Sequence, residues 1–292
     1  MSLNDAYILI TACLVTVACA IPGCFLVLRK MTMFGDAISH AVLPGIVAAY
    51  MLSGNIGGWP MIFGATVIGL ALTWIIEFIH KRMRVSADAS IGISYTFLFA
   101  LGLILVSAFT RQTDLDQDCV LYGEIALVPF DLGWLEIPRQ IWIAGILDLL
   151  LIAIIVFGYR GFWISTFDPS YATVAGLSAV FWHYLLMAMV SLSTVTAFES
   201  VGAIMVVSLL SGPAATAALF SKSLTRMIYL AVIFGVVSCI IAYAFAVYLD
   251  ASIAGCIAVT NALTFALAAL FKRVFRTTVL KSIPHSSVLH PK

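Results

Sequence analysis

Nine runs of predominantly apolar residues set the limits on this chain, at about 6–28, 33–52, 60–79, 89–109, 139–158, 179–197, 201–220, 227–249 and 252–271. Each comes close to the roughly 20 residues that a helix needs to cross the hydrocarbon of a bilayer. Inside lipid every backbone N–H and C=O must find its partner within the segment, so runs of this length read as helices. Hydrophobic residues make up 63% of the 292 and charged residues only 10%. A soluble domain carries roughly 25% charged residues to cover its surface. A water-soluble fold is therefore excluded, and the expected fold is an all-α polytopic membrane protein with eight to nine transmembrane helices. The run at 201–220 is the irregular one, because "LLSGPAAT" places Gly212 and Pro213 inside it. It is expected to bend or re-enter near Ser211, giving eight full spans and one partial span.

No linker, heptad run or low-complexity tract divides the chain, so residues 1–276 are expected to form one membrane domain. The tail 277–292 reads as a disordered end, and the spacing of His285 and His290 within it suits no strong site. Residues 1–28 lack a basic start and an A-x-A cleavage pattern, so no cleaved leader is expected. The basic clusters "LRK" (28–30), "HKRMR" (80–84), "YR" (159–160), "SKSLTR" (221–226) and "FKRVFR" (271–276) fall at alternate ends of the runs. The positive-inside rule then puts those ends in the cytoplasm, the N-terminus outside and the C-terminus inside. The outer loop 110–138 carries Asp114, Asp116, Asp118, Glu124, Asp131 and Glu136. It reads equally as an ordinary solvated loop and as a docking surface or a weak field favouring cations. A net charge of +1 implies no nucleic-acid partner. The six cysteines form no CxxC or zinc-finger spacing, and most lie in apolar runs, where they read as small hydrophobes. No GxxxxGK[ST] stretch is present, so any ATP that drives this chain binds to another subunit.

Against this background "FGDAISHAVLPG" (34–45) stands out. In a helix Asp36 and His40, four apart, lie one above the other about 6 Å apart along the axis. Gly35, Ala37, Ser39 and Ala41 around them are small, which lets a helix or a substrate approach closely. A carboxylate oxygen with an imidazole nitrogen is a ligand pair for Mn, Fe or Zn. Pro44 and Gly45 then loosen the helix, as broken helices do at transporter binding sites. The plainer alternative is an Asp–His hydrogen bond that ties two helices. An ionisable residue inside a span favours function over that tie.

The stretch "RKMTMFGDAISHAVLPGIVAAYML" resembles the signature region of the metal-ion permeases of ABC transporters, the manganese/zinc/iron family. "SADASIGISYTFLFALGLIL" (86–105), "FDPSYATVAGLS" (167–178) and "ESVGAIMVVSLLSGPAATAALF" (199–220) resemble three further family motifs in the same order. The similarity covers nearly the whole chain. Ser211–Gly212 before Pro213 and the acidic 110–118 loop depart from the family pattern. The resemblance implies an ABC importer permease fold in a bacterial-type inner membrane. It implies a second permease subunit, two ATP-binding subunits and an extracytoplasmic metal-binding protein as partners. It implies that ATP is hydrolysed on the partner and not by this chain, that no cofactor is bound permanently, and that Mn, Zn or Fe is the cargo.

The same resemblance makes 167–178 a segment that couples the permease to its ATPase. The residues themselves predict a short helix there. Asp168 suits an N-cap with Pro169 at the first helical position, and Gly176, after Ala175, suits a C-cap. Of the other polar residues, Asp148 in mid-run reads as a helix contact or a pathway residue. Glu199 reads as a gate, an entry ligand or an interfacial carboxylate, and Gly212 and Pro213 as part of a gate. Glu77 and His80 are expected to reach the cytoplasmic water. His183 reads as a packing histidine. Trp59, Trp134, Trp142, Tyr122 and Tyr243 read as interface aromatics. Two readings compete with the metal importer: a proton-coupled carrier with Asp36–His40 as its relay, and a siderophore or cobalamin permease. Only the metal importer explains both the ligand pair and the coupling-like segment.

Overall fold

The computed structural model describes residues 3–53, 59–109, 125–130 and 137–281. Every element among them is helical: α1 (Leu3–Leu28), α2 (Met33–Ala41), α3 (Leu43–Ser53), α4 (Trp59–Met83), α5 (Ala87–Phe109), a 3₁₀ turn (Ile125–Phe130), α6 (Arg139–Phe167), α7 (Pro169–Val174), α8 (Ala179–Val201), α9 (Ala203–Phe220), α10 (Leu224–Leu249) and α11 (Ile253–Lys281). Among the described residues eight segments are long and apolar enough to cross a membrane, one of them Met33–Ser53, which α2 and α3 make together. The shorter apolar helix α9 accompanies them. Most of the acidic loop, at 110–124 and 131–136, lies outside the described residues, as does 282–292. Helix α11 continues to Lys281, past the expected domain end at 276.

The helices differ in how much of themselves they bury, which fixes the layering. In α1 72% of the best spanning window is interior, against 11% in α11, so α1 runs through the centre and α11 along the outside. Helices α6, α8, α9 and α10 all pack on α1. Phe25 and Leu26 of α1, Phe162 of α6, Leu186 and Met187 of α8, and Met205 and Leu209 of α9 are fully buried there.

The expected break at Gly212–Pro213 is absent. Helix α9 continues unbroken through Pro213 to Phe220. Its 18 residues rise about 27 Å, close to the thickness of the bilayer core. Proline removes one N–H from the ladder, a loss that neighbouring helices can absorb at membrane depth. Gly235 of α10 leaves room for the Pro213 ring, where a methyl group would come within 3.3 Å of it. The chain turns instead at Gly202, whose φ of 78° lies in the left-handed region that favours glycine.

The basic turns gather at one end of the bundle. Arg29 bonds Ser165, Thr166 and His183, which joins the ends of α1, α6 and α8. Tyr159 bonds Thr225 at 2.7 Å, which adds the start of α10. Lys272 Nζ donates to the Leu219 carbonyl at 2.5 Å, which brings the end of α9 to the same side. Helix α9 thus reaches the basic end rather than re-entering.

Candidate functional site

The second span is two helices. Val42 accepts from both Gly45 N (2.9 Å) and Ile46 N (3.1 Å), so the ladder is shared where Pro44 offers no donor. Helix α3 lies hard against α4 at this level. A methyl group on Gly45 would meet the Gly64 carbonyl oxygen at 2.5 Å, and one on Gly64 would meet the Gly45 oxygen at 2.7 Å. Any side chain at either position would part the two helices.

Helix α2 carries Asp36 in its first turn and His40 in its last. The macrodipole favours a carboxylate at the former end and a cationic or electropositive group at the latter. Phe34, Gly35, Ala37, Ile38, Ser39 and Ala41 are buried, so one face of α2 is sunk in the protein. Asp36 and His40 project from the other face, with side chains 40% and 35% exposed. Tyr95 and Phe99 of α5 flank the imidazole at ring-centre distances of 6.0 and 5.9 Å.

His40 Nε2 stands 3.7 Å from Asp36 Oδ1. That is too long for a hydrogen bond. It is close to the roughly 3.4 Å that separates two neighbouring ligands of a tetrahedral ion with bonds of about 2.1 Å. The pair is an open jaw of one oxygen and one nitrogen. Among the described residues, no group of three or more His, Cys, Asp and Glu side chains is placed to hold a metal ion. Asp36 and His40 thus stand as a pair of candidate donors, with no third such side chain grouped with them among the described residues.

The other expected site residues do not join them. Asp148 on α6 is 6% exposed, on the stripe with Ala144, Leu147 and Leu151, and its Oδ1 has no hydrogen-bond partner among the described residues. Glu199 occupies the last turn of α8. Gly212 and Pro213 lie within α9, where Gly212 faces Asn261 of α11 beside an open groove shared with Ser208, Ser211 and Phe265.

The short helix α7 forms as its residues predict. Asp168 caps it by accepting from Tyr171 N at 2.9 Å, with Pro169 at its first position. Leu177 N then returns to the Ala172 carbonyl at 2.9 Å, and Gly176 takes a φ of 78°. That is a Schellman-type stop. Tyr171 and Val174 of α7 are exposed, so the helix presents an apolar and aromatic surface at the basic end of the bundle.

Sequence reasoning missed the partners of Glu77. It does not simply reach water. Its carboxylate meets Lys81 Nζ (3.2 Å), His183 Nε2 (3.3 Å) and the Tyr184 hydroxyl (3.2 Å). His183 is a packing histidine as expected, held between Glu77 and Arg29. Burial pushes the Arg29 guanidinium down to about 10, which leaves it charged at neutral pH. Only the paired Glu77–Lys81 spacing was visible in the sequence, since His183 and Tyr184 lie 106 and 107 positions from Glu77, and Arg29 lies 154 from His183.

Comparison with known proteins gives one family. The model of the ABC 3 transport family matches residues 5–272. The manganese transport system membrane protein MntD of Bacillus subtilis is 39% identical over 275 residues, covering 91% of this chain and 92% of that protein. The zinc transport system membrane protein TroD of Treponema pallidum is 38% identical over 268 residues, covering 90% of this chain and 73% of that protein. Among solved structures, PsaBC from Streptococcus pneumoniae in complex with Fab superposes with a TM-score of 0.78. It is 32% identical and covers 92% of this chain and 91% of that one.

Proposed function

The chain belongs to the ABC 3 transport family, and from that premise we propose that it is the membrane permease subunit of an ATP-driven importer for a divalent transition-metal ion, manganese, zinc or iron. The observation that carries this reading is the open Asp36–His40 jaw on a broken span, with donors 3.7 Å apart. Oxygen and nitrogen without thiolate suit Mn, Fe and Zn and disfavour Cu(I). The relatives named for manganese and zinc transport agree with that range.

Two donors do not complete a site. A second permease subunit, facing the first across the exposed side of α2 and α5, supplies the same pair again. Two carboxylates and two imidazoles then surround one ion, and the two negative charges balance its charge in a poorly solvated place. ATP binds to separate subunits at the basic end, which is the cytoplasmic end by the positive-inside rule. The N-terminus accordingly lies outside and the C-terminus inside. An extracytoplasmic binding protein delivers the ion at the opposite end. A proton-relay carrier would leave the capped helix α7 without a purpose.

Helix α7 is the contact with the ATP-binding subunit, through Tyr171, Val174 and the Ala175–Gly176 turn. Replacing Ala175 with Trp and Gly176 with Val obstructs that surface and strains a left-handed position. Membrane insertion should be unchanged, while co-purification of the ATP-binding subunit falls several-fold. Equal co-purification with equal uptake would remove α7 from the interface. The function as a whole is tested in proteoliposomes that hold this chain with its ATP-binding subunit. Mn²⁺ should stimulate ATP hydrolysis and accumulate inside, and elemental analysis of the purified complex should find bound metal. Metal uptake without ATP would point to a secondary carrier instead.

A further inference from the structure

The two legs of the short helix α7 are held by one side chain. Arg29, immediately after α1, donates from Nε and Nη2 to Thr166 Oγ1 (3.2 and 3.1 Å) and from Nη2 to Ser165 Oγ (3.1 Å). Ser165 and Thr166 lie in the last turn of α6, three and two residues before the cap Asp168. On the other leg, Arg29 Nη1 meets His183 Nδ1 of α8 at 3.0 Å. Arginine can only donate, so His183 Nδ1 accepts and Nε2 carries the proton. That proton points to Glu77 Oε1 of α4 at 3.3 Å. The imidazole therefore bridges a cation and an anion on different helices. Tyr184, the next residue of α8, donates to the other Glu77 oxygen at 3.2 Å, which Lys81 also meets.

The legs themselves are locked together. The Trp182 indole of α8 occupies the space that Gly158 and Gly161 leave on α6, so a methyl group at either glycine would run into it. Phe162 meets Trp182 edge to face at 5.0 Å. The hairpin α6–α7–α8 is thus built to move as one body. Helix α4, which Glu77 anchors to it, is the helix on which α3 rests through Gly45 and Gly64. Helix α3 continues the span whose first half carries Asp36 and His40. Packed contacts run from α7 to the metal jaw without a gap, and Arg29–His183–Glu77 is the charged link that joins α1 and α8 to α4.

We propose that Arg29, His183 and Glu77 are positioning residues that transmit movement of the α7 hairpin to the helix pair bearing Asp36 and His40, so that ATP hydrolysis and metal release stay in step. This rests on the importer reading above. The network includes none of the residues assigned above to the metal or to the ATP-binding subunit, and its loss should leave both binding events in place while separating them.

The ratio of Mn²⁺ transported to ATP hydrolysed reads this out, in proteoliposomes of the complete transporter. Arg29→Gln and His183→Phe should assemble with the ATP-binding subunit and hydrolyse ATP within about twofold of wild type. Their Mn²⁺-to-ATP ratio should fall fivefold or more. His183→Gln can accept from Arg29 through its amide oxygen and donate to Glu77 through its amide nitrogen, and should restore the ratio. Glu77→Gln keeps the shape without the charge, and gives the same reading where Arg29→Gln does not assemble. A ratio equal to wild type in Arg29→Gln, His183→Phe and Glu77→Gln, with only the yield of complex reduced, would overturn the inference and leave the importer intact. A wild-type complex that shows no ATP-dependent Mn²⁺ uptake would instead overturn the importer reading, and this one with it.

Discussion

Asp36→Asn should reduce metal uptake by roughly 100-fold or more while the protein remains folded, and His40→Ala should do the same. Loss of a partner one shell removed from a metal already costs about 10- to 100-fold in affinity or activity, and a direct ligand costs no less. Asparagine keeps the shape and hydrogen-bonding capacity of Asp36. It removes only the charge that offsets dehydration of the cation. The distance between the two side chains makes this decisive. At 3.7 Å, with the Asp36 and His40 side chains 40% and 35% exposed, the pair forms no hydrogen bond whose loss could loosen the fold. The buried face of α2, with Phe34 and Ile38 fully covered, is untouched by either change. Uptake in cells or vesicles gives activity, and thermal unfolding in detergent gives the fold. Asp36→Asn with wild-type uptake would reduce the pair to a helix feature. Asp148, whose buried Oδ1 has no partner among the described residues, and Glu199 would then be the next residues to change.

The spans were legible because each is a local property. Twenty apolar residues and the basic cluster that ends them are written consecutively, and most of the described helices follow the runs within a few residues, while α6 and α11 continue nine and ten residues past theirs, to Phe167 and Lys281. The Asp36–His40 jaw was legible for the same reason, since four positions of helix fix which side chains share a face. So was α7, whose cap, proline and glycine lie within nine residues. Pro213 misled because its effect depends on neighbours that the sequence does not reveal. Gly235 of α10, 22 positions away, gives its ring room, and α9 stays continuous. Glu77 misled in the same way. It looked like a carboxylate reaching water beside a basic turn, and its partners His183 and Tyr184 come from a helix three spans later. Local pattern reveals what a helix is, and only packing decides which of its polar groups are free.

Gly23→Ala should be the most destabilising of the conservative changes, costing about 3 kcal/mol or more. A methyl group there would run into the Leu210 carbonyl oxygen of α9, with the Leu210 Cα at 3.3 Å behind it. Overpacking a core costs roughly 1–3 kcal/mol where side chains can shift. Here the obstacle is backbone on the helix that packs most closely on α1, and both helices are held on several sides. Neither a rotamer change nor a small slide relieves it, so the two helices must separate along their length. Leu26 and Leu209, both fully buried, would lose contact with them. Gly145→Ala on α6 is the control, because a methyl group there meets nothing within 4 Å. It should be neutral or stabilise by about 0.5–1 kcal/mol, since alanine suits a helix interior better than glycine. Thermal unfolding and the yield of monodisperse protein in detergent separate the two variants. A Gly23→Ala protein as stable as Gly145→Ala would mean that α1 and α9 can part here without cost, and that the centre of the bundle is looser than its glycine crossing implies.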